Sequence, residues 1–217
     1  MFVRYEARME DVVPPPGPDV VMAWTTAAPG KRSKLLLATR AAESLGVTGD
    51  LTLARHCPRC GSGEHGRPHF AGRHDLAVSL ASAEGVTAAA VTRGAPVGMD
   101  VEHLDDARFA GIGNVLLHPD EHAAGAVELA RTWVRKESLL KALGTGLSVD
   151  PREVELTGPG EAPQARRLPA PFGDVAVRMQ DLGLGASHVG CVSVLSTAAP
   201  VVRVVRLVPA EPEAPAR

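Results

Sequence analysis

Aromatic residues, long apolar runs and an excess of charge of either sign are all lacking in this sequence. Aromatics make up 3% of the 217 residues, and the formal net charge is −2. Proteins that bind nucleic acids usually present a basic face and aromatic side chains that stack on bases, so we expect no nucleic-acid partner. No run of about 18 apolar residues is present, so we expect no helical membrane span and no membrane partner.

Cysteine is also rare, and the N-terminal residues lack the features of a secretory signal. The opening stretch MFVRYEARMEDVVPPPG contains acids and has no apolar core. The cysteines at positions 57, 60 and 191 form an odd set, which fits no disulfide framework of a secreted protein. We therefore expect a cytoplasmic protein.

Hydrophobic periodicity predicts strands and a few helices, with no linker that divides the chain cleanly. Residues 1–18 are predicted to be irregular, residues 57–70 to form a loop rich in glycine and histidine, and a tail from about 209 to be disordered. Helices are predicted over 31–45 and 118–143, each followed by glycine. Strands are predicted over 20–26, 76–80, 86–92, 97–101, 153–156, 174–179, 188–195 and 201–208. This mixture predicts an α+β or an α/β fold, and we favour α+β.

Two acids stand inside an apolar run in the segment VGMDVEHLDD, residues 97–106. Asp100 and Glu102 are two residues apart, so on an extended chain both side chains lie on the same face. Asp100 could instead cap a turn, and Glu102 could pair with an arginine. A divalent cation would offset the repulsion between the two carboxylates, and hard cations such as Mg²⁺ prefer oxygen ligands.

A third acid lies on the long predicted helix, in the segment WVRKESLLK. Glu137 and Lys141 are four residues apart and share a helix face. Taken alone, the pair has the spacing of a surface ion pair worth about 0.3–0.5 kcal/mol. Together with the strand acids it indicates an oxygen-rich metal site with a lysine one turn away. Such a set suits the transfer of a phosphate-bearing group.

At these residues the sequence resembles the 4′-phosphopantetheinyl transferases of the larger, surfactin-synthetase-activating type. The pattern of that family is Gly-hydrophobic-Asp-x-Glu, followed by an aromatic residue and Lys-Glu-Ala/Ser-x-x-Lys. The matching residues are Gly98, Asp100, Glu102, Trp133, Lys136, Glu137, Ser138 and Lys141. Val134 stands where the family usually has Ser, Thr or Cys.

The resemblance implies an activity and an architecture. The family transfers the phosphopantetheine arm of coenzyme A to a serine of an apo acyl or peptidyl carrier protein, needs Mg²⁺, and releases adenosine 3′,5′-bisphosphate. Its larger members are pseudo-dimers of two similar halves with the active site between them. For this chain the resemblance implies halves at 1–95 and 96–217, coenzyme A and carrier proteins as partners, and a monomer.

The resemblance also implies roles for individual residues. Asp100 and Glu102 would hold Mg²⁺ with the coenzyme A pyrophosphate. Glu137 would complete the metal site or deprotonate the carrier serine, and Lys141 would contact the phosphate. Four further residues would contact coenzyme A: Lys31, Thr39, Lys136, and Arg67 of the HGRP segment, with Arg40 as a weaker candidate.

One departure from the family concerns the segment SLASAEG, residues 79–85. The family usually has a Ser-His pair here, and Ser82 occupies the histidine position. Serine can donate a hydrogen bond to a coenzyme A phosphate but cannot carry a positive charge. A degenerate transferase with weak coenzyme A binding is therefore an alternative to an active one.

Another alternative comes from Cys57 and Cys60, which form half of a zinc site. His65, His69 or the distant Cys191 would have to complete the four ligands of a closed site. In this interpretation the protein is a non-catalytic module that binds zinc and a partner. Under the transferase interpretation, the segment 107–117 is a candidate part of the surface that docks the carrier protein.

Overall fold

The computed structural model describes residues 17–26, 30–57 and 59–207. Most of the predicted irregular arm, up to residue 16, lies outside the described residues, as does the tail predicted from 209. None of the helices in the described part of the chain combines the length and the apolar character needed to cross a bilayer.

The described residues form short helices, one long helix and several small sheets, which confirms the predicted α+β fold. The helices are α1 (Lys31–Glu43), α2 (Asp106–Phe109), α3 (Gly113–Leu116) and α4 (Gly125–Leu143), and 3₁₀ turns occur at Gly146–Ser148 and Pro151–Glu153. The strands are β1 (Asp19–Thr25), β2 (Leu53–His56), β3 (Arg67–Phe70), β4 (Leu76–Ala83), β5 (Val86–Arg93), β6 (Val97–His103), β7 (Glu155–Leu156), β8 (Ala165–Arg167), β9 (Val177–Gly183), β10 (His188–Leu195) and β11 (Val201–Arg206).

The two larger sheets have a similar topology. One has the strand order β11-β1-β5-β4 and the other the order β6-β10-β9. In each sheet a first strand is followed by a helix, a two-stranded ribbon and a hairpin, and the second strand of the hairpin pairs antiparallel with the first strand. Strand β11 adds to the first sheet in parallel with β1.

Strand β6 has one face in the core and one face against α4. Val97, Met99 and Val101 belong to a cluster of buried apolar residues that both large sheets share. The other face carries Gly98 and the two acids, since successive side chains of a strand alternate. A Cβ atom on Gly98 would lie 1.9 Å from the carbonyl oxygen of Ser138, so only glycine lets α4 pack this closely on β6.

The long helix begins later than the sequence predicts. It starts at Gly125 and not near Pro119, while its predicted end at Gly144, in the left-handed region, is confirmed. Glu121, which would lie in the first turn of the predicted helix, accepts hydrogen bonds from the backbone N–H of His118 (2.8 Å) and of Leu156 (2.7 Å). One local bond and one tertiary bond thus hold Glu121 in a segment that precedes the helix.

Sequence periodicity also failed at short strands. Residues 57–70 were expected to form a loop, but 67–70 form β3, which pairs with β2. Strand β9 covers 177–183 and not 174–179. Both differences concern short strands with few apolar residues, which are held mainly by pairing with a neighbour.

Candidate active site

The strand acids and the helix acid lie in one buried region between β6 and α4. Asp100 and Glu102 are each 7% exposed, and Glu137 is 8% exposed. The spacing of Asp100 and Glu102 on a strand and the position of Glu137 on the facing helix therefore bring the three carboxylates to the same interface. Burial excludes the interpretation of Glu137 as one half of an ordinary surface ion pair.

Two carboxylate oxygens in this region have no hydrogen-bond donor among the described residues. They are Oδ2 of Asp100 and Oε1 of Glu137, and both are inaccessible to solvent. The second oxygen of Asp100 accepts a hydrogen bond of 2.6 Å from Lys141 Nζ, which lies 4.0 Å from Oε2 of Glu137. A buried acceptor without a donor is costly, so these oxygens are suited to hold a cation.

The third acid is held differently. Both oxygens of Glu102 accept hydrogen bonds from the guanidinium of Arg108, which is the arginine pairing that the sequence left open. The side chain of Arg108 is 54% exposed, so it can leave Glu102 without opening the core. In this conformation the three carboxylates do not form one closely spaced ligand cluster.

Burial raises the pKa of all three carboxyl groups. For Asp100, the nearby Lys141 opposes this effect of burial. For Glu102, repulsion from Asp100 raises the pKa further and Arg108 opposes it. For Glu137, Lys141 opposes the effect of burial, while Asp100 and Glu102 raise the pKa further. Burial therefore disfavours the charged form of these carboxyl groups, and a bound cation would favour it.

A cleft lies beside the three carboxylates. Lys141 lines this cleft and also bonds to Asp100. The cavity of the cleft, of about 230 Å³, is lined by Arg55, Arg67 and Lys141 together with small and apolar residues of β4, β6 and the turn after α4. A second cavity of about 840 Å³ adjoins it and shares Gly66, Arg67 and residues 144–145. A cleft lined by several cations is suited to anions such as phosphates.

Lys34 adds a further positive charge near this cleft. Burial lowers its pKa, and the charges of Arg55 and Lys141 lower it further, which places Lys34 in the field of both. Burial also lowers the pKa of Arg67, and the described residues provide no hydrogen bond or ion pair to its side chain. Within the described part of the chain, Lys34 and Arg67 have no acidic partner, so both are available to a ligand.

Sequence reasoning missed Lys34 and Arg55. Lys34 is three residues after Lys31, on the same helix, and spacing alone could not say which of the two lies near Arg55 and Lys141. Arg55 lies in β2, a strand that periodicity did not predict. Its Nη1 donates a hydrogen bond of 2.9 Å to the carbonyl oxygen of Gly66, next to Arg67.

The structure does not bring Lys136 to the cleft. Its ammonium is buried and donates to Oε2 of Glu121 (2.5 Å) and to the carbonyl oxygens of Leu116 (2.8 Å), Pro151 (3.0 Å) and Val154 (2.8 Å). With these oxygens around it, Lys136 has no capacity for a phosphate. In this structure Lys136 has a structural role, whereas the resemblance implied a contact with coenzyme A.

Three other predicted contacts also lie away from the cleft lining. Lys31 is fully exposed and 3.9 Å from the exposed Glu64. Thr39 is half-buried on α1, and Ser82 is exposed near the end of β4; neither lines the cleft. Instead Ser79, three residues earlier on β4, lines the cleft and accepts a hydrogen bond of 2.9 Å from the Met99 N–H.

The segment 107–117 is largely exposed, but two of its apolar residues are committed to the core. Phe109 and Leu116 are 2% and 0% exposed and pack with Leu129 of α4, while Arg108 holds Glu102. Phe109 and Leu116 therefore cannot present an apolar surface to a carrier protein. Val115, which is 61% exposed, is a large apolar residue that this segment does present.

The cysteines fall into two separate places. Cys57 and Cys60 lie near His65 on the β2–β3 loop, and their ligand atoms are within 4.8 Å of one another. Cys191 is fully buried on β10, opposite Asp100 in the sheet register. Cys191 is therefore excluded as a fourth ligand of a site on that loop.

Comparison with known proteins gives a family match but no match to a curated protein. Residues 96–192 match the family model of the 4′-phosphopantetheinyl transferase superfamily, and this stretch runs from the start of β6 into β10. It contains the three carboxylates and Lys141, whereas Lys34, Arg55 and Arg67 lie outside it. The stretch that builds the acidic region is thus similar to the 4′-phosphopantetheinyl transferase superfamily, which supports a phosphopantetheine-transferring enzyme.

Proposed function

We propose that the protein transfers the 4′-phosphopantetheine arm of coenzyme A to a serine of an apo acyl or peptidyl carrier protein, in a Mg²⁺-dependent reaction. The observation that carries this proposal is that an acidic region and a cleft lined by cations lie side by side. Buried carboxylates with unsatisfied oxygens adjoin a cleft lined by Arg55, Arg67 and Lys141. A substrate with a pyrophosphate and a further phosphate, together with a divalent cation, matches this pair of sites.

The cations of the N-terminal elements would bind the nucleotide end of coenzyme A. Lys34, Arg55 and Arg67 come from α1, β2 and β3, and none of the described residues that line the cleft is acidic. A phosphate that accepts hydrogen bonds from these groups gains charge-assisted bonds, which are stronger than neutral ones. Arg67 lines both adjoining cavities and would sit where the ligand passes from one to the other.

The acids fit a hard divalent cation. Asp100 and Glu137 offer the two unsatisfied buried oxygens, and Glu102 becomes available when the exposed Arg108 side chain moves away. When bound, Mg²⁺ neutralises charge on the pyrophosphate and orients it. Coenzyme A phosphates provide the remaining oxygens that such an ion requires.

Glu137 and Lys141 are placed to handle the proton and the leaving group. The carrier serine oxygen forms a bond to the phosphorus of the phosphopantetheine arm while the bridging bond of the pyrophosphate breaks. Glu137, whose pKa is raised by burial, accepts the serine proton directly or through water. Lys141 stabilises the charge that appears on the departing adenosine 3′,5′-bisphosphate.

The two halves of the chain would both contribute to this site. We propose a pseudo-dimer within one chain, with halves at 1–95 and 96–217, supported by the matching strand order and directions in the two larger sheets. The anion-binding cations come from the first half and the acids from the second. A site made complete in this way needs no second chain, so we propose a monomer.

The test is intact-protein mass spectrometry of apo carrier domains incubated with the protein, coenzyme A and Mg²⁺. We expect the carrier mass to rise by one phosphopantetheine, and the gain to disappear with a chelator. Asp100→Ala should slow transfer by at least about 100-fold. Asp174→Ala is the matched control, because Asp174 is exposed and far along the chain from the acids.

Two outcomes would contradict the proposal in different ways. Full activity of Asp100→Ala would refute the assigned acids. No mass gain with carriers of fatty-acid, polyketide and nonribosomal-peptide pathways, from folded protein, would refute an active transferase. Measuring coenzyme A binding then separates the degenerate transferase, which binds weakly because Ser82 replaces histidine, from a non-catalytic module, which binds none.

A further inference from the structure

The β2–β3 loop gathers two thiols and an imidazole at the rim of the second cavity. The ligand atoms of Cys57, Cys60 and His65 lie within 4.8 Å of one another, and the Cys60 sulfur is 3.3 Å from Nε2 of His65. In a tetrahedral zinc site, Zn–S bonds of about 2.3 Å and Zn–N bonds of about 2.0 Å place sulfur and nitrogen roughly 3.5 Å apart. The observed separation is thus close to that of a filled site.

The loop backbone fixes these side chains before any metal binds. The Gly61 N–H donates to the Cys57 carbonyl oxygen (2.8 Å), and the Cys57 N–H donates to that of Ser62 (3.0 Å). Gly61 has φ +73°, a left-handed conformation that favours glycine directly after the second cysteine. A Cβ on Gly66 would lie 2.2 Å from the His56 carbonyl oxygen, so the loop closes tightly at its other end.

We infer that Cys57, Cys60 and His65 bind one Zn²⁺ ion. Thiolate and imidazole ligands favour zinc over the hard cation proposed for the carboxylates. The adjoining cavity is lined by Cys57 and His65 together with His56 and His69, so an imidazole or a water molecule can supply the fourth ligand. Cys57 and Cys60 are both free thiols in the structure, and Cys60 is exposed, so zinc can reach the site.

The zinc would fasten the segment that presents Arg67 to the cleft. His65 is two residues before Arg67, and Cys57 directly follows β2, so the ion ties together both ends of the loop that joins β2 to β3. This site is separate from the carboxylates, and its existence does not depend on transferase activity. It gives the CxxC pair a role within a folded enzyme, and the non-catalytic zinc module is not needed to explain that pair.

The test measures metal directly on the full-length protein. After dialysis against metal-free buffer, elemental analysis should find one zinc per chain. Replacement of zinc by Co²⁺ should give the intense near-ultraviolet absorption of thiolate-to-cobalt charge transfer, which carboxylate ligands do not produce. Cys60→Ser should lose the zinc and that absorption. Cys191→Ser, which changes a buried cysteine on β10, should keep both.

A second pair of variants covers the case in which Cys60→Ser does not fold. His65→Ala should lower zinc affinity by at least tenfold, while His74→Ala, nine residues further along and exposed, should not change it. Wild-type protein that stays free of zinc after incubation with the ion would overturn the inference, as would Cys60→Ser with wild-type zinc content. So would a Cys57–Cys60 disulfide in the freshly purified protein, seen as a mass loss of two hydrogens.

Discussion

Replacing Lys141 with methionine should destabilise the protein by an amount that increases with pH. The Lys141 ammonium lies 2.6 Å from Oδ1 of Asp100 and 4.0 Å from Oε2 of Glu137. Methionine keeps a flexible chain of similar length but removes the positive charge. Two buried carboxylates would then lose the cation that they share.

The size of the effect follows from the burial of the partners. Removing one member of a buried ion pair costs about 3–5 kcal/mol, since it leaves the other charge uncompensated. The Lys141 side chain is 30% exposed, so water offsets part of the loss and we take about 3 kcal/mol at pH 8. In a protein of this size each kcal/mol corresponds to about 2–4 °C in Tm, which gives a decrease of about 6–12 °C.

The pH dependence has a definite sign. Burial raises the pKa of Asp100 above 3.8 and that of Glu137 above 4.5. The protonated carboxyls therefore favour the folded state below these ordinary values, and this contribution is lost as the pH rises through the raised values. Lys141 limits that loss, so its removal costs most when both groups are charged and least when they are protonated.

Thermal unfolding of the metal-free protein at about pH 5 and pH 8 measures this dependence. Lys34→Met is the matched control: burial lowers the pKa of Lys34 and the neighbouring cations lower it further, so its loss leaves no buried anion behind. We expect the control to keep the wild-type Tm at both pH values. A decrease for Lys141→Met of the same size at both pH values would refute the reasoning, and saturating Mg²⁺ should reduce the decrease at pH 8.

Three further predictions concern neighbouring residues. Gly98→Ala should lower Tm by about 4–10 °C, because the added Cβ would lie 1.9 Å from the backbone of α4. Gly173→Ala, with open space around it, should leave Tm unchanged. Equal Tm values for the two variants would contradict the close packing of α4 on β6. Lys34→Ala should raise KM for coenzyme A by about tenfold or more with little change in kcat. Arg40→Ala should leave KM unchanged, because Arg40 lies on the same helix but is paired with Glu43. Lys136→Met should instead lower the stability by about 3–5 kcal/mol and leave KM for coenzyme A unchanged. A raised KM without a loss of stability would refute the structural role of Lys136.

Local periodicity was sufficient to predict the elements that carry the acids. The alternation around Asp100 and Glu102 predicted the strand β6, and the glycine at 144 predicted the end of α4. The prediction that this strand is half-buried was wrong, because α4 covers its second face and both faces are buried. Boundaries set by tertiary contacts were not predictable in the same way. The predicted start of α4 was wrong because Glu121, typical of a first helical turn, bonds instead to the distant Leu156 N–H and to the Lys136 ammonium.

The anion-binding side of the site was harder to predict. Its cations come from three elements far apart in sequence, and two of these elements, β2 and β3, were not predicted as strands. Lys31 and Lys34 are one turn apart on α1, yet Lys31 is fully exposed while Lys34 lies in the field of Arg55 and Lys141. Which of the two lysines lies near the other cations depends on how α1 packs against the sheet. The residue pattern of α1 alone does not determine that packing.

The sequence alone determined which side chains point the same way along one element. Spacings of two on a strand and four on a helix place Asp100 beside Glu102 and Glu137 beside Lys141, because backbone geometry sets those angles locally. Only the tertiary structure decided what each face meets. It directed Lys141 to the carboxylates and the buried Lys136 to Glu121, since the absolute direction of a side chain depends on the packing of its whole helix.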